Sequence, residues 1–179
     1  MKAITNTALF QLVWLICVVG GSPVALIATL VYLSIHQHYL MNNKAEWRLI
    51  VLFGVLGCLI DGGLFKMGIL LPDSGEPLDG IMPIWLLCLW FCVGTLFAHG
   101  LRFLQSRYFA AALAGFIGPA FSYFAGAKLT DINLAQPTFE SLLLISIIWA
   151  ILVPMGVWLS EKWQLYPSLP EQNEHEELT

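Results

Sequence analysis

The chain has 179 residues, of which 58% are hydrophobic and only 11% charged, with a formal net charge of −4. Soluble domains average about 45–50% apolar and about 25% charged residues, so a chain of this size cannot hide its apolar surface from water under so few charges. Together with a mean hydropathy of +0.76, this excludes a water-soluble globular domain and a disordered chain, and the lack of a basic face excludes a nucleic-acid binder. An all-α, polytopic transmembrane helix bundle remains.

A bilayer core of about 30 Å takes about 20 apolar residues per helix. Apolar character runs from residue 3 to residue 39, interrupted by Gly20-Gly21-Ser22-Pro23. One straight helix of that length would be about 55 Å long, and Gly-Gly-Ser-Pro is a strong breaker. The segment therefore reads as a hairpin of two short spans, 3–19 and 24–39. A cleaved signal peptide over 1–22 is the weaker reading, because no small-x-small site stands out. Four further spans follow at 49–71, 83–104, 108–127 and 138–160, giving six, or five if the first two are one kinked helix. Pro119 and Pro154 lie inside spans, where membrane helices tolerate them at the cost of a kink. Residues 1–160 form one transmembrane helical domain in this reading. Residues 161–179, with Glu171, Glu174, Glu176 and Glu177, form an acidic cytosolic tail expected to be disordered.

Orientation follows from the placement of Lys and Arg. With six spans, Lys2, Lys44, Arg48, Arg102, Arg107 and Lys162 share one side and only Lys128 falls in a loop on the other. That six-to-one bias makes the first side cytoplasmic and puts both termini in the cytosol. Asp73, Glu76 and Asp79 then face outward. Trp47, Trp85, Trp158 and Trp163 stand near predicted boundaries, as interface anchors do.

Polar residues at membrane depth are the strongest functional signal. Asp61 lies near the middle of the 49–71 span and needs a hydrogen-bond partner or a neutralising proton. Candidate donors are Gln11, Trp14, His99 and Tyr123, each on another span. Lys66, five residues on, snorkels outward rather than pairing with Asp61 along one helix. His36 and His38 are two apart and fall on different helix faces, which disfavours a helical metal pair. Cys17, Cys58, Cys88 and Cys92 all sit in apolar runs and read as buried free thiols. Ala114, Gly118, Ser122 and Gly126 recur every four residues and predict a close helix–helix seam, with Ala111 and Gly115 as an adjacent row. Neither a metal nor a cofactor is expected.

The hydrolase, zinc-protease and phosphate-loop motifs are absent, as are histidine boxes and an arginine row. Five stretches carry a resemblance. They are Phe10-Gln11-x-x-Trp14 with Cys17-Val18-x-Gly20; Gly57-x-x-x-Asp61-x-x-Leu64-x-x-x-Gly68; Pro83-x-Trp85 with Leu89-Trp90-Phe91; Thr95-Leu96 with Leu101-Arg102-x-Leu104; and Gly118-Pro119-x-x-Ser122-Tyr123-x-x-Gly126-x-x-Leu129. In order and spacing they resemble the bacterial inner-membrane family DUF2878, whose function is unknown. The resemblance implies a small multi-pass protein of the cytoplasmic membrane, brings no catalytic residues, and hints at a setting in membrane-lipid modification. Two function classes stay open. One is a non-enzymatic accessory, scaffold or binding protein, whose partners are membrane lipids, a membrane protein or a second copy. The other is a small intramembrane enzyme or oligomeric carrier using Asp61 with His99 or Tyr123.

Overall fold

The first helix, α1, spans Lys2–Ile35 and runs on through a π-helical turn at His36–Leu40. It is not straight. Gly21 has φ 70° and ψ 177°, a backbone conformation that only glycine adopts without strain. Pro23 follows in the first turn of the second arm, where its missing N–H leaves no helical bond unmade. In a straight helix Asn6 and Tyr32 would be about 39 Å apart, yet the Asn6 amide donates to the Tyr32 hydroxyl at 3.0 Å. Lys2 Nζ donates to the Leu40 carbonyl at 2.9 Å. The chain therefore doubles back at Gly21. This computed structural model describes residues 1–73 and 82–166; Glu76, Asp79 and most of the acidic tail lie outside them.

After the hairpin come α2 (Glu46–Lys66), a short strand β1 (Leu70–Pro72), α3 (Ile84–Gly94), α4 (Tyr108–Leu129), strand β2 (Ile132–Leu134) and α5 (Thr138–Lys162). Among the described residues, four helical stretches are long and apolar enough to cross a membrane: Lys2–Leu40, Glu46–Lys66, Tyr108–Leu129 and Thr138–Lys162. The span expected over 83–104 differs. It is α-helical only to Gly94, then continues in tight turns and a 3₁₀ turn at Arg102–Leu104. The Thr95 hydroxyl donates to the Cys92 carbonyl at 2.7 Å, and the amides of Thr95, Leu96 and His99 reach three residues back instead of four. A threonine competing locally for helix carbonyls loosens the helix. Such backbone is tolerated at membrane depth where protein covers it, and Phe97, Ala98 and His99 are all buried.

The two strands pair antiparallel, Leu70 opposite Leu134 and Pro72 opposite Ile132. The span expected over 49–71 thus ends at Lys66, and its last two residues, Leu70 and Leu71, are strand instead of helix. This ribbon ties the end of α2 to the α4–α5 connection at one end of the bundle. At the other end, Lys2 meets Leu40 and Asn42, and Tyr166 donates to the Phe97 carbonyl. Successive helical arms thus alternate between the two ends.

Short α3 is the hub and packs on both α1 and α2, while α4 and α5 form a hairpin of their own. A polar thread fastens α1 to α3: the Asn6 amide also donates to Thr95 Oγ1 at 3.2 Å, and the Tyr32 and Thr95 hydroxyls are 2.6 Å apart. Leucine, isoleucine and phenylalanine side chains cover the outside, among them Leu12, Leu15, Ile27, Phe121 and Ile151.

Candidate functional site

Asp61 is completely buried. Each carboxylate oxygen accepts one hydrogen bond: Trp90 Nε1 donates to Oδ2 at 2.7 Å, and the Tyr123 hydroxyl donates to Oδ1 at 2.7 Å. Asp61 on α2 therefore links α3 to α4. Gly57, one turn earlier on the same face, makes this possible, because a Cβ there would stand 2.3 Å from Trp90 Cγ. Trp90 in turn stacks on Trp149 of α5 at 4.7 Å between ring centroids. The Nε1 atom of Trp149 is buried without a hydrogen-bond partner.

Trp90, Tyr123 and Trp149 form part of the wall of a cleft of about 580 Å³ between the first arm of α1, α3 and α4. Its other walls are mostly apolar and aromatic. The Trp14 indole donates to Ser122 Oγ across it at 3.0 Å. Asp61 lies behind this wall and does not line it.

The small-residue row predicted as a seam, Ala114, Gly118, Ser122 and Gly126, lines this cleft. Nothing lies within 4 Å of a Cβ position at Gly118 or Gly126. Within the chain, close packing of α4 falls to the neighbouring row instead. Ala111 is fully buried, and a Cβ on Gly115 would stand 2.2 Å from the Trp149 carbonyl oxygen. Both rows have the spacing that allows backbones to approach; only the three-dimensional arrangement decides which one meets α5.

A second polar cluster lies near the end of the bundle that carries Lys2. His36 (0% exposed), Glu46 (1%) and His99 (3%) come from the end of α1, the start of α2 and the turns after α3. Glu46 Oε2 stands 3.0 Å from His36 Nε2 and 2.9 Å from His99 Nε2. Its other oxygen, Oε1, accepts the backbone N–H groups of Asn42 at 2.8 Å and Asn43 at 3.3 Å. The two imidazole rings meet edge to face, 5.1 Å between centroids. His36 Nδ1 is buried and has no partner.

The structure thus brings Asp61 and Tyr123 together and separates them from His99, which contacts Glu46 instead. Gln11 is exposed and lines the cleft without reaching Asp61. Trp14, another candidate donor, bonds Ser122. Lys66 is exposed at the end of α2. Of the four cysteines, Cys58 is exposed and the other three are buried. Sequence reading missed Trp90, Trp149, Glu46 and the grouping of His36 with His99. A signal for Glu46 did exist. Asn43 and Glu46 are spaced as a capping box, and the Asn43 side chain accepts the Ala45 N–H at 2.9 Å while Glu46 reaches back to the Asn43 N–H. That reading explains one carboxylate oxygen and hides the other.

A helical bundle of membrane-spanning length and apolarity, with two buried carboxylates joining its helices, is the class of protein defined here. The chain belongs to the DUF2878 family, described as a protein of unknown function, whose match covers residues 3–155. No curated protein and no solved structure matches the chain.

Proposed function

We propose that this is a non-catalytic, multi-pass protein of the bacterial inner membrane that holds a lipid acyl chain in the cleft between α1 and α4. The cleft carries the reading. It has about 580 Å³ of mostly apolar space, within the usual range of about 300–1,000 Å³ for ligand pockets. Its flanks on α1 and α4 are exposed hydrocarbon, including Leu12, Leu15, Phe121 and Phe124, so its mouth opens where lipid tails are. Gly118 and Ser122 keep the α4 wall low. The few polar side chains of the lining, among them Thr7, Gln11, Ser122 and Thr130, suit orientation of a ligand better than chemistry.

Asp61 is a clamp in this reading. Both oxygens are engaged and the side chain lies behind the cleft wall, which favours a structural role over an enzyme or carrier that cycles protons through it. The proposal includes six membrane passes with both chain ends on the cytosolic side. The reversal at Gly21, the alternation of the arms and the Lys/Arg bias, six at the Lys2 end against Lys66 and Lys128 at the other, support it.

The test is mass spectrometry of lipids retained by the protein in native nanodiscs, for the wild type and for Gly118→Trp, which fills the cleft. We expect one lipid class enriched over the bulk bilayer in the wild type and reduced several-fold in the variant, with thermal stability preserved. Bulk lipid composition in both would overturn the reading. Reporter fusions at residue 5 and after Lys162 should both read cytosol; an external N-terminal reporter would overturn six passes.

A further inference from the structure

The His36, Glu46 and His99 cluster is unrelated to the cleft. We propose that it is a binding site for a first-row divalent transition-metal cation, represented by Zn²⁺, held by Nε2 of His36, Nε2 of His99 and Oε2 of Glu46. The three ligating atoms lie within 4.8 Å of one another. Ligands about 2.0–2.1 Å from a tetrahedral metal stand about 3.3–3.4 Å apart. The two nitrogen–oxygen separations are 3.0 and 2.9 Å, so entry of a cation spreads each of them by about 0.4 Å. The edge-to-face rings aim both Nε2 atoms at the same oxygen, Oε2, rather than one at each carboxylate oxygen.

The surroundings agree with this chemistry. The Asn42 and Asn43 amides hold Oε1 and thereby fix the carboxylate plane, the kind of outer support that orients metal ligands. Two imidazoles with one carboxylate select Zn²⁺, Fe²⁺ or Co²⁺ over Mg²⁺ and Ca²⁺, which favour all-oxygen shells. Glu46 is a buried carboxylate, and a divalent cation at its Oε2 compensates that charge directly. A hollow lined by residues of the 37–44 segment and by Trp47 adjoins the start of α2. His36 Nδ1 lacks a partner, and ligand histidines without one bind metal about 10–100-fold more weakly. The site should therefore exchange its ion rather than lock it in as a zinc finger does.

The experiment uses the full chain, purified in nanodiscs without a histidine tag and equilibrated with Zn²⁺ or Co²⁺. Metal content and ligand-field spectra are then read for the wild type, Glu46→Gln, His99→Asn and the control Asp61→Asn. We expect about one equivalent of metal in the wild type and the control. Affinity should fall at least 100-fold in Glu46→Gln and His99→Asn. Should those variants fail to fold, X-ray absorption on the Zn²⁺-loaded wild type decides, and two imidazole nitrogens at about 2.0–2.1 Å are expected. No metal above background in the wild type would overturn the proposal and leave a hydrogen-bonded clamp. Fewer than two imidazoles, or equal binding in all variants, would overturn it as well.

Discussion

Asp61 and Glu46 are both buried carboxylates on α2, fifteen residues apart, and they are satisfied in opposite ways. Asp61 receives two bonds from neutral aromatic donors, one on α3 and one on α4. Glu46 receives two backbone amides on one oxygen and faces two imidazoles with the other. The first is a strut between packed helices, five residues before the end of α2. The second is a hub where the end of α1, the start of α2 and the turns after α3 converge. Two aromatic donors, one on each oxygen, hold Asp61 in place, whereas an oxygen shared by two imidazole nitrogens is open to a cation.

Removing each acid should separate the two most sharply. Glu46→Leu leaves two backbone amides and two imidazoles without their acceptor, and each buried group so stranded costs about 1–3 kcal/mol; membrane abundance and Tm should fall steeply. Asp61→Leu strands two donors that already border the cleft, so a smaller loss of about 1–3 kcal/mol is expected. Equal losses would erase the distinction between hub and strut.

The placement of α4 can be broken separately. Gly115→Ala puts a methyl group against the Trp149 carbonyl and should cost about 1–3 kcal/mol through overpacking. Gly118→Ala, three residues on and facing the open cleft, should change stability by no more than about 0.5 kcal/mol. Paired thermal unfolding in nanodiscs measures both, and the reverse order would return the seam to the Gly118 row. The smallest effect belongs to Tyr123→Phe. It removes one of the two donors to Asp61, and single interhelical hydrogen bonds in membrane proteins average about 0.6 kcal/mol. A loss as large as that of Asp61→Leu would mean that Tyr123, not Trp90, carries the strut.

Much of this was legible in one dimension. Hydropathy set the helical class and the approximate ends of α2, α4 and α5. Gly20-Gly21-Ser22-Pro23 announced the reversal, because a glycine-proline breaker inside 37 apolar residues leaves few other shapes. Asp61 announced itself by depth, since a carboxylate in mid-span must be compensated. Tyr123 could be named as a candidate partner but not separated from Gln11, Trp14 or His99.

Tertiary structure alone decided the rest. Which of two small-residue rows on α4 meets α5 depends on a rotation of the helix that leaves the spacing unchanged. Thr95 ends α3 early because its hydroxyl takes a backbone carbonyl inside a network with Asn6 and Tyr32, residues 89 and 63 positions away. The β1–β2 ribbon joins two loops whose strands are only three residues each, too short for a periodic signal. His36, Glu46 and His99 each have an ordinary local reading: a helix end, a capping residue and an interfacial histidine. The helical class and the apolarity of the segments follow from composition along the chain, so the sequence determined them; pairing, and with it the burial of Glu46 and the exposure of Cys58, follows from where the chain reversals bring the helices, and only the folded bundle contains that information.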